Sequence, residues 1–374
     1  MSAPIDPSRR APGVGRVRLP GGNGGQRRRR RQRRLIRSGA ILVAVIVLVA
    51  LLLSRSGNHH KTASGTPGSG HKGAGGPTTT VPATTTTVAP AGPVQATALA
   101  AHLPEPLSRS VAATSQGGIV ILGGLDARAR STAHAYRFDP ATSALSTIAP
   151  LAVASHDAAG TALGDAVLVF GGGSETEGIR SVQAYRNGAT TVIGSLPEAR
   201  SDLSVTAAGA DVVVVGGYDG KTSPASVLAT TDGIVFRVVA QLPTAVRYAG
   251  VVAVGRTVFV LGGQVNGTSI DTIQAIDLDH GTAQVVGHLP APLSEASTFS
   301  LGGSVYLAGG RSGGRLVSSI WRFTPATGVV VQEGTLPAAV ADAAVAVVGT
   351  TAYLFGGEVP GRSASIVAIT PVAR

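Results

Sequence analysis

The chain is 374 residues long, with 31 Lys and Arg against 20 Asp and Glu, a formal net charge of +11, and no cysteine. The missing thiols exclude disulfides, thiolate metal sites and cysteine nucleophiles. The charge is uneven: residues 1–37 hold twelve Arg and one Asp, whereas from residue 93 onward 16 basic residues face 19 acidic ones, so that larger part has no excess of positive charge with which to bind nucleic acid.

Residues 1–34 are rich in Gly, Pro and Arg, with the run Arg27 to Arg31 and almost no apolar side chains, and they read as a disordered basic tail. Residues 35–54 follow as an apolar stretch. The 19 residues from Leu35 to Leu53 would reach roughly 28 Å as a helix, close to the ~30 Å of a hydrocarbon core, with Arg37 at its edge. This predicts one transmembrane helix. The Arg cluster before it places the N-terminus in the cytoplasm and the remainder outside. Ser54 and Ser56 make a poor cleavage site and the basic region is long, so the segment reads as a retained signal anchor in the cell membrane rather than a removed signal peptide. Residues 55–93 are Gly, Ser, Thr and Pro, including Thr84 to Thr87, and form an extracytoplasmic linker with no means of building a core.

From residue 94 to 374 the chain repeats. Gly-Gly pairs at Gly123-Gly124, Gly171-Gly172, Gly216-Gly217, Gly262-Gly263, Gly309-Gly310 and Gly356-Gly357 recur every 45 to 48 residues, each closing a short apolar run such as Val212 to Val215 or Val258 to Leu261. An earlier run precedes each of these, for example Gly250 to Val254 or Ala344 to Val348. A third run follows a polar loop, as in Ala135 to Asp139 or Ile320 to Thr324, and a fourth ends at Leu196-Pro197, Leu242-Pro243, Leu289-Pro290 and Leu336-Pro337. These runs are short and rich in Val, Ile and aromatics, which favours strands. Four strands, six times over, predict an all-β fold: a six-bladed β-propeller.

The diglycine after a hydrophobic strand, with a later aromatic at Tyr136, Tyr185 and Trp321, resembles the kelch repeat, and the resemblance covers residues 94–374. It implies a kelch-type propeller. The sixth copy stops one strand short, after Ser365 to Thr370, and Val94 to His102 before Leu103-Pro104 supplies the missing outer strand, sealing the ring. The glycines read as positions of positive φ and close backbone approach rather than as phosphate binders, because no helix follows them.

Positions equivalent in the six copies yield two candidate rings. The residue after each diglycine is Leu125, Gly173, Tyr218, Gln264, Arg311 or Glu358. The residue fourteen before the first Gly is Arg109, Asp157, Asp202, Tyr248, Glu295 or Asp342, with His156 and Arg247 adjacent. In kelch binding proteins these places border one ligand-facing mouth, and the resemblance implies the same here. The candidate ligand-binding residues are therefore Arg109, Asp157, Asp202, Tyr218, Arg247, Tyr248, Gln264, Glu295, Arg311, Asp342 and Glu358. The acids serve either to cap turns and pair with Arg109 and Arg311 or to meet a cation or a hydroxyl-rich ligand, and the tyrosines offer faces for stacking.

No catalytic residue, metal ligand or cofactor is assigned, since neither a Gly-x-Ser-x-Gly context nor a helical His pair occurs. The expected function is a binding module for a protein or a cell-envelope glycan. The alternatives are a carbohydrate-active enzyme of epimerase or mutarotase type using the mouth carboxylates, and a purely structural envelope platform.

Overall fold

The computed structural model describes residues 92–372. The basic tail, the apolar stretch and all but the last two residues of the linker lie outside them. No helix among the described residues is long and apolar enough to cross a membrane.

Six four-stranded antiparallel sheets are present among the described residues. Blade 1 runs Val111–Ser115, Gly118–Leu122, Ala135–Asp139 and Ala144–Thr147, from the inner strand to the outer. Blades 2 to 5 repeat this order, with inner strands Ala159–Leu163, Ser204–Ala208, Gly250–Val254 and Ser297–Leu301. Each inner strand packs beside those of its two neighbours, and that of blade 6, Ala344–Val348, packs beside blade 1, so the ring closes around a channel.

The second strands explain the apolar runs. Gly118–Leu122, Ala166–Phe170, Asp211–Val215 and Ser304–Ala308 are buried at every position, because both faces of each blade are covered by its neighbours. The core is accordingly divided into six apolar clusters, one at each blade junction. Between blades 6 and 1, Phe138 packs edge-on against Phe355 at 5.4 Å between ring centres and against Tyr353 at 5.2 Å. At the junction of blades 2 and 3, fully buried Arg200 stands where Leu107, Val246, Leu293 and Val340 stand at four other junctions and Ser155 at the fifth. It donates to Gly216 O, Ser226 O, Ser226 Oγ and Glu198.

Blade 6 is completed as the sequence predicts. Val94–His102 pairs with Ser365–Pro371, from Val94 opposite Pro371 to His102 opposite Ser365, with a bulge after Ala98. Leu103 N then donates to Ala364 O at 2.8 Å, and Tyr306 of blade 5 donates its hydroxyl proton to Gly92 O at 2.9 Å. The closing strand starts on the face that carries the turns between inner and second strands. It ends on the opposite face, where the diglycines lie.

Each diglycine joins two blades. Its first residue has φ near +60° and its second near +100°, and the second amide donates to a carbonyl of the next blade's approach segment, as in Gly263 N to Leu293 O at 2.8 Å and Gly357 N to Leu107 O at 2.8 Å. A Cβ on Gly262 would overlap Leu293 O, so both the φ and the closeness of the chains require glycine there.

Because strand 94–102 seals the ring and covers the junction of blades 5 and 6, deleting residues 94–104 is expected to lower the melting temperature by on the order of 10 °C or more and to broaden the transition. Differential scanning calorimetry of the deleted and complete chains checks this, and an unchanged transition would contradict the closure.

Candidate functional site

The residues fourteen before each diglycine form one ring. Arg109, Asp157, Asp202, Tyr248, Glu295 and Asp342 each lie two residues before the start of an inner strand, and all six have left-handed backbone, with φ between 51° and 58°. Their amides and carbonyls form a closed cycle. Asp157 N donates to Arg109 O at 3.2 Å, Asp202 N to Asp157 O at 3.0 Å, Tyr248 N to Asp202 O at 2.9 Å and Glu295 N to Tyr248 O at 3.0 Å. Asp342 N donates to Glu295 O at 3.0 Å, and Arg109 N returns to Asp342 O at 3.0 Å. Positive φ turns each peptide so that it links one blade to the next around the axis. For Arg, Tyr and Glu this conformation costs about 1 kcal/mol or more apiece, and the surrounding bonds impose it.

The second ring lies beside the first. In every blade the residue after the diglycine bridges the residue preceding the ring position: Leu125 with Ser108, Gly173 with His156, Tyr218 with Ser201, Gln264 with Arg247, Arg311 with Ser294 and Glu358 with Ala341. All eleven candidate residues therefore meet at one channel mouth, on the diglycine face. Leu125 and Gly173 bring no charge to it.

The charges pair internally. Arg109 donates from Nε to Glu358 at 2.8 Å and from Nη1 to Asp157 at 2.9 Å and the Tyr248 hydroxyl at 3.0 Å. Arg311 donates to Glu295 at 2.5 Å and Glu358 at 2.7 Å, and Arg247 to Asp202 at 3.1 Å. Gln264 donates to Glu295 at 2.8 Å. Arg247 also lies 5.3 Å from the ring centre of Tyr218 and 5.4 Å from that of Tyr248, and Arg109 lies 5.6 Å from the Tyr248 centre. Of the two functions open to the acids, pairing with Arg is the one the geometry displays, and the tyrosine faces are turned to guanidinium groups. The acids lie deepest, at 6–8 % exposure for Asp202, Glu295, Asp157 and Asp342, while Arg247 and Arg311 reach 29 % and 27 %. What meets solvent is thus a layer of guanidinium over a layer of carboxylate.

Burial sets the proton affinities. It pushes Asp157 up to about 7, against the pull of Arg109 and with the help of Asp202. It raises Asp342 as well, again opposed by Arg109 and assisted by Glu295. Burial works on Glu358 in the same sense, but the hydrogen bonds from Arg109 and Arg311 outweigh it and hold that carboxyl low. The His156 imidazole, 3.6 Å from Asp157 and bonded through Nδ1 to Ser131 at 2.9 Å, is held below its usual value by burial and by Arg109.

Sequence reasoning missed three features of the mouth. Arg362 donates to Ser108 Oγ at 3.1 Å from a short hairpin, Glu358–Val359 with Gly361–Arg362, that stands above blade 6. Equivalent hairpins, Gln264–Val265 with Thr268–Ser269 and Arg311–Ser312 with Arg315–Leu316, rise from blades 4 and 5 and flank a groove of about 490 Å3 lined by Thr268, Ser269, Pro292 and Ser312. Their turn dipeptides, Asn266-Gly267 and Gly313-Gly314, were the available signal. Ser110, just beneath the ring, is the third. Among the described residues, no group of three or more His, Asp or Glu is placed to hold a metal ion.

Six four-stranded blades, an interblade diglycine and a mouth made of equivalent loop residues define a kelch-type β-propeller. A model of the KLHDC2/KLHL20/DRC7 Kelch-repeats domain matches residues 155–357, and the chain belongs to the kelch-repeat family. The solved structure of YjhT is similar in fold, with a TM-score of 0.63 over 72 % of this chain and 96 % of that one at 14 % identity. None of the curated proteins matches the sequence. Kelch propellers serve in general as protein-interaction modules.

The raised Asp157 carboxyl has a consequence for stability. Between about pH 4, the unfolded value, and about pH 7 the native state keeps a proton that the unfolded chain has lost, so this group's contribution to stability falls as pH rises through that window. Urea unfolding at pH 5 to 8 should show a downward slope that flattens in Asp157→Asn, by up to ~1.4 kcal/mol per pH unit. Equal slopes in the two proteins would contradict the assignment.

Proposed function

We propose that the protein is a membrane-tethered, extracytoplasmic binding module that captures a protein or a cell-envelope glycan at the channel mouth. The observation that carries this reading is the backbone strain at the mouth. Gly or Asn would adopt the left-handed conformation at less cost, yet three of the six ring positions are Arg109, Tyr248 and Glu295. All six line the channel opening, so besides the pairing of Arg109 with Asp157 and Glu358 across blades they present donors, acceptors and an aromatic ring at the mouth. Arg109, Arg247 and Arg311 keep part of their surface in solvent, ready to donate to carboxylate, carbonyl or hydroxyl oxygens.

The place where the chain joins the propeller supports the tether. Val94 pairs with Pro371 on the face away from the diglycines, so the described chain enters the propeller on the side opposite the mouth. The Arg-rich tail and the apolar stretch 35–54 support the topology, with residues after Arg55 outside the cell.

The full chain, immobilised and exposed to solubilised envelope fractions, is expected to retain a ligand. Arg247→Lys and Arg311→Lys keep the charge that Asp202, Glu295 and Glu358 need but lose the planar fork, and they should weaken capture about tenfold with little change in melting temperature. Undiminished capture by both variants would remove the mouth from the binding reading.

A further inference from the structure

Asparagine occurs twice among the described residues, at Asn187 and Asn266, and both times glycine follows. Each pair forms the two-residue turn of a β-hairpin. The backbones are alike: φ is 51° at both asparagines and 79° at Gly188 and Gly267, the left-handed pair of a type I′ turn. All four residues are exposed, and a Cβ on either glycine would meet nothing within 4 Å, so the space around both turns is open.

The two hairpins differ in what holds them shut. Asn187-Gly188 joins Ser181–Arg186 to Ala189–Ser195, which pair from Arg186 opposite Ala189 to Ser181 opposite Ser195. The first of these strands also pairs with the buried strand Ala166–Phe170, so this turn is clamped by the whole of blade 2. Asn266-Gly267 joins Gln264–Val265 to Thr268–Ser269, and two residue pairs close it, Val265 with Thr268 and Gln264 with Ser269. Its base is anchored where Gln264 bridges Arg247 and where Ile270 N donates to Gly263 O at 2.9 Å. Towards the tip only the pair of Val265 and Thr268 follows. A hairpin this short is marginal by itself and opens locally far more often than a strand pair inside a four-stranded sheet.

Opening controls the chemistry of an asparagine followed by glycine. For the glycine nitrogen to reach the asparagine Cγ, the asparagine must rotate out of the turn geometry, which breaks the closing pair. Glycine permits the approach because no Cβ crowds its nitrogen.

We propose that Asn266 is a site of spontaneous deamidation in the native protein, whereas Asn187 is protected by its sheet. The Gly267 amide gives its proton to hydroxide, and its nitrogen attacks Cγ of Asn266. A new C–N bond forms there, the bond from Cγ to the side-chain nitrogen breaks, and that nitrogen takes a proton from water and leaves as ammonia. Water then opens the five-membered succinimide at one of its two carbonyls, which leaves aspartate or isoaspartate at position 266. Solvent supplies every co-reactant.

The change falls on the mouth. Position 266 gains a negative charge at neutral pH beside the groove that Gly267, Thr268 and Arg311 line. Isoaspartate also adds a methylene to the backbone, and a two-residue type I′ turn then no longer closes. The hairpin loosened in this way contains Gln264, whose side chain donates to Ser294 Oγ at 3.2 Å and to Glu295 at 2.8 Å. The bonds of the ring amides do not pass through this hairpin, so the propeller keeps its fold while one wall of the groove loses its order.

Incubation of the full chain at about pH 8 and 37 °C, followed by peptide mass spectrometry, tests this. Each deamidation adds about one dalton, and Asn266 should convert at least about tenfold faster than Asn187 in the native protein. In concentrated urea, where neither hairpin persists, the two rates should agree within about a factor of two. Hydrogen exchange supplies the second measurement: the Thr268 amide should be at least about tenfold less protected than that of Ala189, its counterpart in the longer hairpin. Equal native rates at the two asparagines, faster conversion of Asn187, or equal protection of Thr268 and Ala189 would each overturn the inference.

Discussion

Six amide groups around the channel each donate to a carbonyl of the preceding blade, and the sixth, at Arg109, returns to Asp342 so that the cycle has no free end. A single bond of this kind contributes only about 1 kcal/mol. Closure changes its meaning, because no blade can rotate or slide without lengthening two members of the cycle. The mouth is therefore a backbone frame of fixed circumference, and the left-handed conformation of its residues is the condition for that geometry. The diglycines belong to the same constraint. They let the adjoining chains approach closely enough for a second set of interblade bonds, from Gly124 to Ser155 through to Gly357 to Leu107.

On this frame the side chains are organised by electrostatics. Carboxylates from blades 2, 3, 5 and 6 point into a confined space, and three guanidinium groups cap them. Glu358 is shared between Arg109 and Arg311, which ties blade 6 to blades 1 and 5 through its side chain as well as through the backbone. Such a layer is held rigidly and is partly desolvated, so a ligand of the kind proposed would meet preoriented donors and lose little entropy in ordering them. Rigidity of this kind suits selective recognition.

Much of the frame was legible in the amino-acid order. The spacing of the diglycines specified six blades, and the truncated last copy together with Val94 to His102 specified how they close. Counting back fourteen residues found all six members of the ring, because strand lengths and turn lengths are conserved between blades at that point of the chain. What was not legible depends on contacts across blades. Nothing in the order of residues says that Glu358 joins Arg109 to Arg311, or that Arg247 lies between two tyrosines. Nor does a strand of two residues, as in the hairpins above blades 4 to 6, contain enough alternation to be recognised. Arg200 reads as a surface residue by composition and becomes a buried interblade tie only because Gly216 and Ser226 present acceptors to it. The predicted membrane segment lies outside the described residues.

Amide hydrogen exchange at the ring tests the cycle most directly. If the six bonds form one closed frame, the amides of Arg109, Asp157, Asp202, Tyr248, Glu295 and Asp342 should exchange only through global unfolding, with equal protection free energies that match the stability from denaturant. Rapid exchange at any one of the six while the second strands remain protected would mean that the cycle is open, and the account of the mouth as a rigid frame would be wrong.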